Sequence, residues 1–298
     1  MEKTRVPVLL FSWSFYFVLC DYLIKALGSP YIVGMALRIG TVILMTVYFV
    51  VSKKFDKFVF ERRSFFAIIG VAFLSFLFDC IANIGLQYST ASSGSALLKT
   101  ELLFVLLISA LRKEILLDAF DYVLAFAVII GSILIICKDI IHFNVDIYSL
   151  LFVLSAFINS ICAFIIQNLQ KQYMVSSFQI AYASNILSLC MYSLICIITI
   201  NNGVQIYFNP QISGVLIACI LCQTTLVLIY YNILGAYPVW VIKTLLLIIP
   251  IITLILQALI FRIYPSLSQV IGVFVTVISA ALLVLRHYYI PDSNTDLN

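Results

Sequence analysis

The chain is a succession of long apolar runs separated by short polar stretches. Ten runs stand out, at 6–27, 31–51, 65–87, 91–111, 119–137, 147–168, 178–200, 211–231, 238–260 and 267–286. Each holds about 18–23 residues, enough for a helix rising 1.5 Å per residue to cross a hydrocarbon core of about 30 Å. Within lipid the backbone must satisfy its own polar groups, so runs of this length predict helices. The connections are short, which makes neighbouring helices antiparallel. The expected fold class is an all-α membrane protein with ten transmembrane helices. The first run follows a short basic segment, as in a signal peptide. It continues without a small-residue cleavage site, so it is predicted to be the first spanning helix.

The pattern also repeats. Shifted by 149 residues, Asn83, Ile84 and Tyr88 meet Asn232, Ile233 and Tyr237, and Leu97-Leu98 meets Leu246-Leu247. Phe15 meets Phe164, and Val128, Ile129 and Leu134 meet Val277, Ile278 and Leu283. Apolar identities are cheap in such a chain, so the Asn and Tyr matches carry the weight. Two repeats follow, 1–140 and 145–290, each with five helices. An odd number inverts the second repeat in the membrane, an arrangement that places a site near the midplane between the halves.

Charge sets an orientation. The N-terminal side of the membrane receives eleven basic residues: Lys3, Arg5, Lys53, Lys54, Lys57, Arg62, Arg63, Arg112, Lys113, Lys171 and Arg286; the other side receives two, Lys138 and Arg262. Positive loops stay inside, so both termini are expected in the cytoplasm, with the chain a multi-pass protein of the plasma (inner) membrane. Composition agrees with the hydropathy: 64% of residues are hydrophobic and 10% charged, against about 25% charged in soluble domains. The net charge of +4 is dispersed and gives no reason to expect nucleic acid. The eight cysteines lie mostly in apolar runs, the closest pair being Cys219 and Cys222, and read as small buried hydrophobes. His142 and His287 are the only histidines and fall near span ends. No metal site or histidine-based triad is expected, and no cofactor.

The candidate chemistry is a set of charges inside the runs. Asp21, Arg38, Asp79, Lys99, Glu101 and Lys243 all lie at depth, while Lys25 is close enough to a helix end to reach the interface. A charge at mid-bilayer is costly and usually faces a partner or a water-filled cavity. Three cations and three acids allow pairing, for instance Asp79 with Lys99 or Arg38 with Glu101. Lys99 and Glu101 are two positions apart, about 200° around a regular helix, and so are expected to face different surroundings. Cavity-facing lysines would offer charge to an anionic group, and Glu101 or Asp79 could instead couple transport to protons. Asn83, Tyr88, Asn232, Tyr231 and Trp240 are candidate donors or stacking surfaces. The small-residue run from Ser89 to Ala96 either permits close helix approach or leaves room for substrate. Pro250 is expected to kink its helix.

Several of these stretches resemble a known family. Ile84-Gly85-Leu86-Gln87-Tyr88-Ser89-Thr90-Ala91, then Lys99-Thr100-Glu101-Leu102, then Arg112-Lys113-Glu114, is similar to the motifs of the EamA-type branch of the drug/metabolite transporter superfamily. Pro250, Gln269 and Gly272 continue the likeness in the second half. There are departures: Leu102 replaces the proline after the first-half Glu, Lys113 the glycine before Glu114, and Ile249 the second-half Glu. The resemblance implies ten helices as five plus five and a transport activity. It also places Lys99 on the helix the family uses for its cavity. A subgroup that carries nucleotide sugars has lysines in the fourth and ninth helices, the helices of Lys99 and Lys243.

The expected function is a secondary carrier of a small metabolite, working by alternating access; the alternative is a nucleotide-sugar or phosphorylated-metabolite antiporter. An intramembrane enzyme is disfavoured, since no Asp/Glu/His cluster with catalytic spacing occurs. The expected partners are the small-molecule substrate and the lipid bilayer, with a homodimer left open.

Overall fold

The computed structural model of the chain describes residues 2–51, 62–113, 118–136, 147–201, 210–262 and 264–289. These residues are helical almost throughout, and none of them is in a strand. Residues 52–61 with their lysines, Glu114, Lys138, His142 and the polar C-terminal tail lie outside the described residues.

The first half forms α1 (Glu2–Leu27), α2 (Pro30–Val51), α3 (Arg62–Tyr88), α4 (Ala91–Leu97), α5 (Glu101–Leu111) and α6 (Ala119–Ile136). The second forms α7 (Leu150–Gln172), α8 (Ser177–Asn201), α9 (Pro210–Ala236), α10 (Val239–Leu245), α11 (Ile249–Phe261) and α12 (Leu267–Tyr289). Two of the expected helices are therefore interrupted. A tighter turn, Leu98–Thr100, joins α4 to α5, and an equivalent turn, Leu246–Ile248, joins α10 to α11. The expected kink at Pro250 is such a break: the proline stands in the first turn of α11, where its missing N–H leaves no helical bond unmade. The first-half break has no proline.

Eight stretches, 21 to 27 residues long, are long and apolar enough to cross a membrane: α1, α2, α3, α4 with α5, α7, α8, α9, and α10 with α11. The other two expected spans are shorter apolar helices, Ala119–Ile135 in α6 and Leu267–Leu283 in α12. Polar residues bound both, with Asp118 and Asp121 at one end of α6 and Arg286 near the end of α12. Arg286 donates to the Asp118 carboxylate (2.6 Å from Nη1) and approaches Asp121 at 3.5 Å, so the two short helices are tied to each other.

Packing pairs the two halves. α6 lies on α12 and α2 on α8; α3 lies on α7 as α1 lies on α9; α1 meets α11 as α7 meets α5. The α6–α12 contact depends on glycine. A Cβ on Gly131 would come within 2.8 Å of the Thr276 backbone nitrogen, and one on Gly272 within 2.7 Å of the Gly131 carbonyl oxygen. The outward faces are apolar, with Ile43, Val47, Phe66, Phe126, Ile133, Ile198, Ile217 and Leu259 all exposed, as a lipid-facing surface requires.

The small-residue run is buried throughout α4, and its lack of side-chain bulk admits a ring. Phe152 of α7 sits against Gly85 and Gly94, where an added Cβ would stand 2.9 and 2.6 Å from the ring. The start of α4 is anchored at its donors. Thr90 caps it by accepting from the Ser93 N–H, and Gln257 of α11 accepts from the Ser92 N–H at 3.0 Å. These are first-turn amides with no helical partner, which buried helix ends must satisfy from outside.

Candidate substrate cavity

A cavity lies among α1, α2, α3, α7, α8 and α9, three helices from each half. Its polar lining is Arg38, Ser75, Asp79, Asn83, Asn159, Asn185 and Gln223. Its aromatic lining is Trp13, Tyr16, Phe17, Phe78, Tyr230 and Tyr231. Arg38 and Asp79 form an ion pair within this wall, and Arg38 also donates to the Asn185 side-chain oxygen. Asn185 is held in turn by its own bond to the Ala181 carbonyl, 2.7 Å. The guanidinium is thus oriented from two sides. An aqueous or ligand-filled cavity is where such a pair is affordable, because a charge in hydrocarbon without partners is not.

Behind one wall of the cavity lies a second cluster. Lys243 donates to Glu101 Oε2 at 2.8 Å, Asn159 donates to the same oxygen at 2.7 Å, and Lys99 stands 3.6 Å from Oε1. All three charged side chains are buried, at 2%, 0% and 2% exposure for Lys99, Lys243 and Glu101. Ser160 binds the Glu101 backbone carbonyl, 3.0 Å, so α7 holds both ends of this residue. The two ammonium groups rest on rings that line the cavity: Lys99 is 5.4 Å from the Trp13 ring centre and Lys243 is 5.0 Å from that of Tyr230. Those rings meet edge to face at 5.2 Å. Trp13, Asn159 and Tyr230 therefore form a partition with the cavity on one side and the charge cluster on the other.

The break in the helix explains how Lys99 and Glu101 meet. The expectation that they face different surroundings assumed 3.6 residues per turn. Leu98–Thr100 tightens to about three per turn, which reduces the angle between the two positions from about 160° to about 120° the short way round. A lysine side chain bridges the remainder. The expected pairings are also exchanged: Arg38 takes Asp79, and Glu101 takes both lysines. Asp79 lines the cavity, whereas Lys99 sits on the Trp13 ring and is not among the lining residues.

The remaining candidates divide by position. Asn83 and Tyr231 line the cavity, with Asn83 accepting from Cys20 and donating to Tyr192, each at 3.5 Å. Tyr88 stands away from it, half exposed and stacked on Tyr148 with centroids 4.1 Å apart. Asn232 accepts from Arg5 at 2.7 Å near the start of α1. Trp240 lies on α10 outside the cavity lining. Asp21 pairs with Lys25 at 2.7 Å and lies 3.4 Å from the Ala91 N–H and the Gln257 amide, where α1, α4 and α11 converge. Asn159, Asn185, Gln223, Trp13 and Tyr230 were not anticipated. The three amides carried a signal in the sequence, since amides inside apolar runs need partners as charges do; the two aromatics carried none. Among the described residues no group of three or more His, Cys, Asp or Glu side chains is placed to hold a metal ion.

Buried apolar helices around a polar interior define a multi-pass integral membrane protein. Residues 7–137 match the EamA-like transporter family, which bears out the resemblance read from the motifs. No curated protein matches the chain by sequence. A crystal structure of a protein 12% identical to it superposes with a TM-score of 0.65, over 94% of this chain and 96% of that one. At that identity the likeness is one of fold.

Proposed function

We propose that the protein is a secondary carrier that moves a small metabolite through the central cavity by alternating access. The carrying observation is the cavity itself: it lies between helices of both halves and holds an oriented ion pair, four amides and aromatic walls. Binding pockets are of this kind, mostly apolar with a few placed polar groups.

The mechanism we infer requires two inverted five-helix repeats, with α4–α5 and α10–α11 each counted as one helix. Three observations support it. Helix starts recur at a spacing of 148 residues: 62 and 210 for α3 and α9, 91 and 239 for α4 and α10, 119 and 267 for α6 and α12. Both broken helices break at the same place in that register, 98–100 and 246–248. The helix contacts also exchange when the halves are exchanged. Rocking one set of helices against the other around the cavity would expose it to each side in turn. The nucleotide-sugar alternative is less favoured. It draws on two free cations, and the Glu101 carboxylate already neutralises one of the two lysines.

The test is a thermal-shift screen of purified protein against amino acids, nucleotides, nucleotide sugars and sugar phosphates, followed by uptake of each stabilising compound into proteoliposomes. The expected result is saturable uptake that falls at least tenfold in Arg38→Ala. Stabilising compounds that never cross the bilayer, or uptake unchanged by Arg38→Ala, would remove the proposal.

A further inference from the structure

The charges in and directly behind the cavity do not cancel. Arg38 and Asp79 neutralise each other in the wall. Behind the partition, one carboxylate, Glu101, serves two ammonium groups. Asp21 and Lys25 are balanced and lie outside the cavity lining. The centre of the protein therefore carries one positive charge in excess. Geometry says where it resides. Lys243 holds Glu101 at 2.8 Å, whereas Lys99 reaches it only at 3.6 Å and is otherwise seated on the Trp13 ring. A buried charge without its own counter-ion is strongly unfavourable and is relieved by an anion brought near it.

The partition is thin enough for this to act in the cavity. Lys99 is one ring away, and Asn159 touches both the cavity and Glu101. The wall also contains an unpartnered hydroxyl. Tyr230 lines the cavity, and its hydroxyl, buried in the wall on the side of Lys243, closes no hydrogen bond of good geometry. We propose that the cavity selects a solute bearing a single negative charge, a monocarboxylate or its equivalent. Its acidic group lodges against Trp13, Asn159 and Tyr230, and its apolar part lies along the aromatic wall. The proposal rests on the carrier reading and narrows its substrate. A neutral or cationic solute leaves the excess charge uncompensated. A phosphate dianion reverses it, so a doubly charged group is selected against as well.

Trp13 supplies the readout. The chain has two tryptophans, so Trp240→Phe leaves Trp13 as the sole emitter, in contact with Lys99. This protein is titrated with two series, each of one skeleton: phenylacetate, phenylacetamide and phenethylammonium, then hexanoate, hexanamide and hexylammonium. Phenyl phosphate tests the dianion. The carboxylate of at least one series is expected to change Trp13 emission at a concentration at least tenfold below its amide and amine. In Lys99→Gln that preference falls below twofold, and Lys99→Arg retains it. Equal or better binding of the amides, amines or phenyl phosphate overturns the proposal, as does silence from both carboxylates or a preference that survives Lys99→Gln. Should Lys99→Gln fail to fold, the wild-type comparison still decides. Uptake separates this from the carrier reading. Neutral solutes transported without anion preference would end the inference alone, whereas anions bound but never transported would end the carrier reading alone.

Discussion

At the residue scale, Glu101 is the position on which the interior charge depends. Among the described residues it is the one carboxylate paired with Lys99 and Lys243, and Asn159 completes its coordination. Removing a shared counter-ion is worse than removing either of its partners, because two buried cations then face each other unscreened. Glu101→Gln is therefore expected to destabilise the protein by about 3–5 kcal/mol, read as a lower unfolding temperature in detergent. Lys99→Gln, which leaves one matched pair, is expected to cost much less. Equal melting of Glu101→Gln and wild type would show that the cluster contributes nothing to stability. That Lys99 and Glu101 lie inside a span was legible in the sequence, because charges in an apolar run are conspicuous. Their partners were not. Periodicity places side chains around one helix, and the tight turn that lets these two meet has no proline or glycine within Leu98–Thr100 to announce it.

Helices such as α6 and α12 show the same division at the element scale. Hydropathy located both, but their mutual contact is a matter of backbone approach through Gly131 and Gly272. Gly131→Leu would drive a side chain into the Thr276 backbone, which cannot yield without separating the helices. Overpacking of this kind costs about 1–3 kcal/mol. Gly70→Leu is the control, since nothing lies within 4 Å of the added Cβ there. Thermal unfolding in detergent should distinguish the two variants, and similar losses in both would mean that the close approach has no energetic role. The breaks in α4–α5 and α10–α11 divide likewise. Pro250 marked the second in the sequence, while the first shows only in its geometry.

For the whole molecule, the distribution of basic residues remains the guide to orientation. It predicts that a single cysteine at position 54, in a background without the native cysteines, resists an impermeant maleimide added outside intact cells. Labelling from outside would reverse the orientation, since the rule counts short basic loops such as this one. The described helices fit a membrane in either sense, because many large apolar side chains are exposed along their outward faces.

What the sequence determined by itself follows from the bilayer as solvent. Apolar length sets where helices run, and the expense of charge in hydrocarbon singles out Arg38, Asp79, Lys99, Glu101 and Lys243. Only the tertiary structure decided which charge meets which. It placed Arg38 with Asp79 inside the cavity, set Glu101 between two lysines behind Trp13 and Tyr230, and left Tyr88, Asn232 and Trp240 outside the lining. The physical reason is that pairing across helices depends on rotation, crossing and local unwinding, each set by packing contacts far apart in the chain. Hydropathy records the depth of a residue and carries no information about the direction it faces.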